Sequence, residues 1–183
     1  MPGGTERYLW ALLCRILIGD MSNTSLTIDA AQELANWTRR VTGMYVKDLR
    51  AMSNEAYTTS AGGKCRSMQD VTAEVAGYNY MIATVLKQET PPSWSDQERA
   101  DFIASLNTVE AGIDQVQKSG EMLAEAIENA GDMLSEMGKA PWGEPMSYFQ
   151  MAQICVNHIL YHDGQLNIIQ ALNGDDQMHW FDE

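Results

Sequence analysis

Four stretches of this chain carry apolar residues at alternating intervals of three and four, the spacing that lines one face of an α-helix. The first runs through Leu34, Trp37, Val41 and Met44, with Met52 beyond a gap; the second through Val71, Tyr78, Met81 and Val85. The third runs through Phe102, Leu106, Val109, Ile113, Val116, Leu123 and Ile127. The fourth runs through Met151, Cys155, His158, His162, Gln165, Ile169 and Leu172. No β-branched run of period two competes with them, so the fold class is all-α. Four helices with one apolar face each bury those faces against one another, which predicts a four-helix bundle.

The breaks between the stretches agree. Ala61-Gly62-Gly63 interrupts the chain between the first two helices, and Pro91-Pro92 ends the second region. Ser95 with Glu98, and Ser147 with Gln150, have the spacing of capping boxes opening the third and fourth helices. Gly131 and then PWGEP, Pro141 to Pro145, separate those two, and Gly174 is placed to end the last. The connection from Lys87 to Ser95 is longer than a tight helical hairpin needs. At roughly 3.3 Å per extended residue it can cross most of a bundle's length, which permits the second and third helices to lie parallel.

Charge narrows the partners. Lys and Arg total 12 against 25 Asp and Glu, a formal charge of −13. Such a surface repels polyanions, so neither nucleic acid nor an anionic membrane is an expected partner. Cys14, Cys65 and Cys155 are odd in number and have no paired spacing, which predicts a reducing compartment and a cytoplasmic protein. The most apolar segment, Tyr8 to Gly19, is shorter than a membrane span and contains Arg15. Residues 1–20 read as an N-terminal extension or surface helix, and residues 21–183 as a single domain.

The fourth stretch holds the chemistry. His158 and His162 stand four residues apart on a face that is otherwise apolar, and a polar side chain there is costly unless it is partnered. Two imidazoles at i and i+4 can share one metal ion. Glu74 is a similar anomaly among Val71, Tyr78, Met81 and Val85 on the second stretch. Facing the histidines, it completes a two-histidine, one-carboxylate set suited to Zn, Ni, Fe or Mn. The alternatives are a Glu74 hydrogen-bonded to a buried tyrosine or to water, a Glu74 facing solvent or paired with Arg66 while Cys155 or a water takes the third place, or the neighbouring carboxylate Asp70. Tyr78, one turn after Glu74, is the candidate to orient it or to donate a proton. Asp163 and Gln165 are candidates to hold an imidazole through its second nitrogen. His179 reads as a tail contact, and Trp142 and Trp180 as covers for the bundle end or a partner subunit.

These residues carry a resemblance. NHILYHDGQLNIIQALNGD, Asn157 to Asp175, resembles the last helix of the DinB and YfiT-like superfamily. GKCRSMQDVTAEVAGYNYMIATVL, Gly63 to Leu86, resembles its second helix with the entry loop, and PWG, Pro141 to Gly143, fits the approach to the last. The likeness spans roughly Ser25 to Trp180. It implies an up-down-down-up bundle with a long crossover between the second and third helices. It also implies a divalent metal on three histidines, one from the second helix and two from the last. His158 and His162 match the pair, and the remaining position falls at Glu74. Relatives of this kind include thiol-dependent S-transferases and a maleylpyruvate isomerase.

The expected function is therefore that of a DinB-like metal protein, a metal-dependent thiol S-transferase or hydrolase using a low-molecular-weight thiol, with Zn or Ni ahead of Fe or Mn. The alternative is a non-catalytic metal-binding or structural dimer acting in a stress response. A homodimer is expected from the family habit and from apolar residues in excess of four seams, at Tyr8 to Gly19, Ile159 and Leu166.

Overall fold

The computed structural model describes residues 28–182, so the apolar segment from Tyr8 to Gly19 lies outside the described residues. Six α-helices make up most of what is described. They are α1 (Ala30–Ala51), α2 (Asn54–Thr58), α3 (Met68–Leu86), α4 (Asp96–Ser105), α5 (Val109–Ala130) and α6 (Tyr148–Leu172). A 3-10 turn, Gly131–Ser135, follows α5, and a short antiparallel hairpin pairs β1 (Met137–Lys139) with β2 (Pro145–Ser147). The hairpin, for which periodicity gave no signal, is too short to show alternation; its turn is the PWG segment, closed at Gly143, where φ is +101°.

Each helix begins where its sequence supplies an acceptor for the free amides of the first turn. Asp29 caps α1, and Ser67, Ser95 and Ser147 close reciprocal capping boxes with Asp70, Glu98 and Gln150. The expected third helix is two. Leu106 ends α4, and Thr108 caps a new helix by accepting from the Ala111 amide. Asn54 Oδ1 accepts from the Val109 amide at 2.8 Å, so the first residue of α2 fixes the break.

Four long helices, α1, α3, α5 and α6, form the bundle. α5 and α6 each pack against both α1 and α3. Contacts give the directions. Gln32 and Arg39 on α1 meet Glu128 and Glu121 on α5, so these two run antiparallel. Asn79 on α3 meets Ser119, and Thr72 lies against Gly112, so α3 and α5 run parallel. Glu74 meets His158 and Asn79 meets Cys155, so α3 and α6 are antiparallel. The order is up-down-down-up, and the segment from Lys87 with α4 makes the crossover between α3 and α5.

The core is filled by Tyr45, Leu49, Met68, Ile82, Leu123, Ile127, Met151, Ile159 and Leu166, all fully buried. The Tyr45 and Thr72 hydroxyls hydrogen-bond at 3.0 Å between α1 and α3. α5 approaches α1 closely because Gly120 has no side chain, and a Cβ there would sit 2.5 Å from Thr42 Oγ1.

The expected seams of α1 and α6 are largely inside, with Leu34, Val41, Met44 and, at the C-cap, Met52 buried on α1 and Met151, Cys155, His162 and Ile169 on α6; the seam of α3 is rotated. On α1, Trp37 is exposed beneath Arg40, and Ala35, Thr38 and Tyr45 are inside. On α3 the buried residues are Met68, Thr72, Val75, Asn79, Ile82 and Leu86, which leaves Glu74, Tyr78, Met81 and Val85 at the edge. On α6, Ile159 and Leu166 are core residues and offer no face to a second copy, while Leu172 is exposed. On α3 and α1 the reason is physical: Thr72, Asn79 and Thr38 are buried polar side chains that satisfy themselves by hydrogen bonds, so a count of apolar residues passes them over.

Candidate metal centre

His158 and His162 lie on adjacent turns of α6, and their spacing brings both rings to the α3 side. Their Nε2 atoms are 3.0 Å apart, with the rings at 86° to each other. Glu74, at the facing edge of α3, presents Oε1 at 3.3 Å from His158 Nε2 and 3.5 Å from His162 Nε2. These are the metal-ligating residues expected from sequence, brought into one group. The circle through the three donor atoms has a radius of about 1.9 Å, just below the roughly 2.0–2.2 Å of zinc–nitrogen and zinc–oxygen bonds. These three donor atoms are spaced so that they could hold one divalent ion together. Two imidazole nitrogens and a carboxylate oxygen are also the donor chemistry such an ion selects.

Surrounding groups set the protonation of the ligands. Gln165 Oε1 accepts from His162 Nδ1 at 2.8 Å, which puts the ring proton on Nδ1 and leaves the Nε2 lone pair facing the centre. Gln165 thus does what was expected of it or of Asp163. Asp163 is elsewhere, facing Asp48 and Trp180 at the bundle end. Tyr78 stacks on the His158 ring at 4.5 Å between centroids, and Trp142 stacks on Tyr78 at 6.1 Å. Burial, then the neighbouring His162, lowers the His158 pKa despite the opposing pull of Glu74. That ring is therefore neutral and able to ligate at physiological pH. Burial raises the Tyr78 phenol to about 12, so it remains a donor.

Glu74 is not sealed in the core; 38 % of its side chain is exposed. Oε2 accepts from the Arg66 guanidinium while Oε1 faces the histidines, so the arginine and the imidazoles share one carboxylate. Burial alone would raise its pKa, but Arg66 and then His158 outweigh it and hold the carboxyl below its usual value. Arg66, from the loop before α3, is the basic partner offered for Glu74 as an alternative to the histidines; here the carboxylate meets both. Cys155, one turn before His158, donates its thiol to Asn79 Oδ1 at 3.2 Å. Its burial pushes the thiol pKa up, away from the thiolate a metal takes, and it stands outside the group. Asp70 is occupied in the capping box with Ser67.

A cleft of about 790 Å³ opens beside Glu74 and Tyr78, walled by α3 on one side and by the crossover and α4 on the other. At the far end of the bundle His179 binds Asp175 and Asp182, a tail contact as its position implied. Trp180 closes that end by donating Nε1 to Asp48 and Asp163, each at 2.9 Å. None of the described helices is long and apolar enough to cross a membrane.

Comparison with known proteins adds one positive finding: the sequence model of the DinB family matches residues 21–179. No curated protein matches the chain.

Proposed function

The chain belongs to the DinB family, and from that premise we propose that Glu74, His158 and His162 hold a single divalent ion and that the protein is a metal-dependent thiol S-transferase or hydrolase. The observation that carries this is the convergence of three donor atoms, all within 4.8 Å of one another, beside an open cleft. A metal core serving only the fold would be plugged by side chains; here a ligand residue forms part of the cleft wall. The ion would supply Lewis acidity toward a thiol or a water. Zinc or nickel suits the two imidazoles, and the carboxylate in place of a third histidine extends the range toward iron and manganese.

The chain's own groups have separable tasks. Gln165 and the Tyr78 stack fix the two imidazoles. Arg66 keeps Glu74 ionised and aimed. Tyr78, protonated and lining the cleft, is the proton donor placed to serve a bound substrate. The test is metal titration of tag-free protein, with Glu74→Gln and Cys155→Ser alongside the native chain. One ion per chain, strongly weakened in Glu74→Gln and unchanged in Cys155→Ser, is the expected result. The reverse pattern would overturn the ligand set.

We also propose a homodimer. Ile154, Tyr161, Ile168 and Leu172 lie exposed along one side of α6 at intervals of seven, seven and four, an apolar stripe that a second copy would cover.

A further inference from the structure

α4 is an anomaly in this bundle. It buries none of its ten residues completely, yet it carries Phe102 and Ile103, and Gln69 Nε2 ties it to α3 through the Ile103 carbonyl at 2.8 Å. Its apolar side chains do not reach the core because the 790 Å³ cleft lies between them and α3. Trp94 and Phe102 pack edge to face, 5.1 Å between centroids, as part of the lining on the α4 side. On the opposite wall, Gly77 has nothing within 4 Å of the place its Cβ would occupy, so the cleft reaches the α3 backbone, with Met81 beside it.

The charges of the lining are unevenly committed. Arg66 is paired with Glu74, and Asp70 accepts from the Ser67 amide and hydroxyl. Arg99, one turn before Phe102 on α4, forms no ion pair among the described residues. A free guanidinium beside an aromatic slot, in a chain of charge −13, is a selective feature rather than a share of a general positive field.

We infer that the cleft binds an amphipathic carboxylate, its aromatic or aliphatic body held between Trp94–Phe102 and Gly77–Met81 and its carboxylate on Arg99. This rests on the metal reading only for which end of the ligand reacts, since the end away from Arg99 is the one delivered to Glu74. Recognition of body and head needs no ion.

The test uses the full chain, with 8-anilinonaphthalene-1-sulfonate as the fluorescent occupant and octanoate or octanol as the displacing probe. Octanoate should displace the dye at least tenfold more effectively than octanol. Arg99→Met should erase that difference, because a charge-assisted pair is worth about a tenfold change or more. Gly77→Leu, whose Cβ would meet nothing within 4 Å, should abolish displacement by both probes while zinc affinity is unchanged. Octanol matching octanoate, or full octanoate binding in Gly77→Leu, would overturn the inference. Zinc titration of the same samples separates the two readings: a chain that fails to bind zinc yet discriminates octanoate from octanol refutes the metal centre alone.

Discussion

Asp163 sits in an environment that should make the protein less stable as pH rises, and Asp163→Asn should remove that cost. Asp48 and Asp163 are both buried where the C-terminal tail crosses the bundle end. The Trp180 indole donates to each, Asn167 donates to Asp48 at 2.7 Å, and Asp163 Oδ1 has no partner. Burial first, and then the neighbouring Asp48, raises the Asp163 pKa from 3.8 to about 8. Between those values the native state holds a proton that the unfolded state has released, so stability falls with increasing pH. Stability is therefore lost progressively as pH rises from the carboxyl's ordinary value toward its raised native one. Asparagine keeps an acceptor for Trp180, cannot ionise, and can donate to Asp48. Urea unfolding in chelator, from pH 4 to 9, should therefore show the two proteins close together at pH 4. The variant should then gain about 1.4 kcal/mol per pH unit up to about pH 8. Other titrating groups are common to both chains and cancel in the difference. Parallel pH profiles would refute the reasoning, as would a variant less stable than the native chain at pH 8.

Gln165→Leu leaves His162 Nδ1 without its acceptor and should weaken metal binding about 10- to 100-fold, measured by chelator competition, with helicity unchanged. Gly120→Ala forces a Cβ onto Thr42 and should cost about 1–3 kcal/mol in urea unfolding, much of it recovered when Thr42→Ala is added. Light scattering should report a dimer at micromolar concentration that Tyr161→Glu with Ile168→Glu converts to a monomer; a native monomer at high concentration would refute the α6 interface.

The bundle was legible because capping and breaking residues act locally. Ser95, Ser147, Gly131 and Gly174 each do in the structure what their place in the chain predicts. The proximity of His158 and His162 was legible because i and i+4 on a helix fixes it without knowledge of the fold. Glu74 was found as a carboxylate misplaced in an apolar pattern, though the pattern itself was one step off the buried face of α3. Arg66 was legible only as a rival partner for Glu74; that it pairs with one carboxylate oxygen while the histidines face the other depends on a loop whose path runs through Gly62 and Gly63, both at positive φ. The split between α4 and α5 was hidden because Leu106 is buried and keeps the apolar rhythm across the break. The acid pair at the tail depends on a tertiary contact between α1 and α6 that no local spacing encodes.

The arrangement of neighbours bears on how the chain reaches its native state. α1 and α3, and likewise α5 and α6, follow each other in sequence yet do not pack closely; each packs on the other two long helices. The one consecutive pair in contact, α3 and α5, is parallel and needs the whole crossover to form. No antiparallel helical hairpin is therefore available as an early local nucleus. The ion pairs of Arg39 with Glu121 and Glu128 span separations of 82 and 89 residues, and Glu74 meets His158 across 84. The shorter α3–α5 closure, 40 residues between Asn79 and Ser119, can form first, while these longer loops carry a larger closure entropy and slow the assembly of the whole bundle. Its refolding should accordingly be slow for an all-α chain, and a metal bridging α3 and α6 would act as a cross-link on one of the longest of those loops.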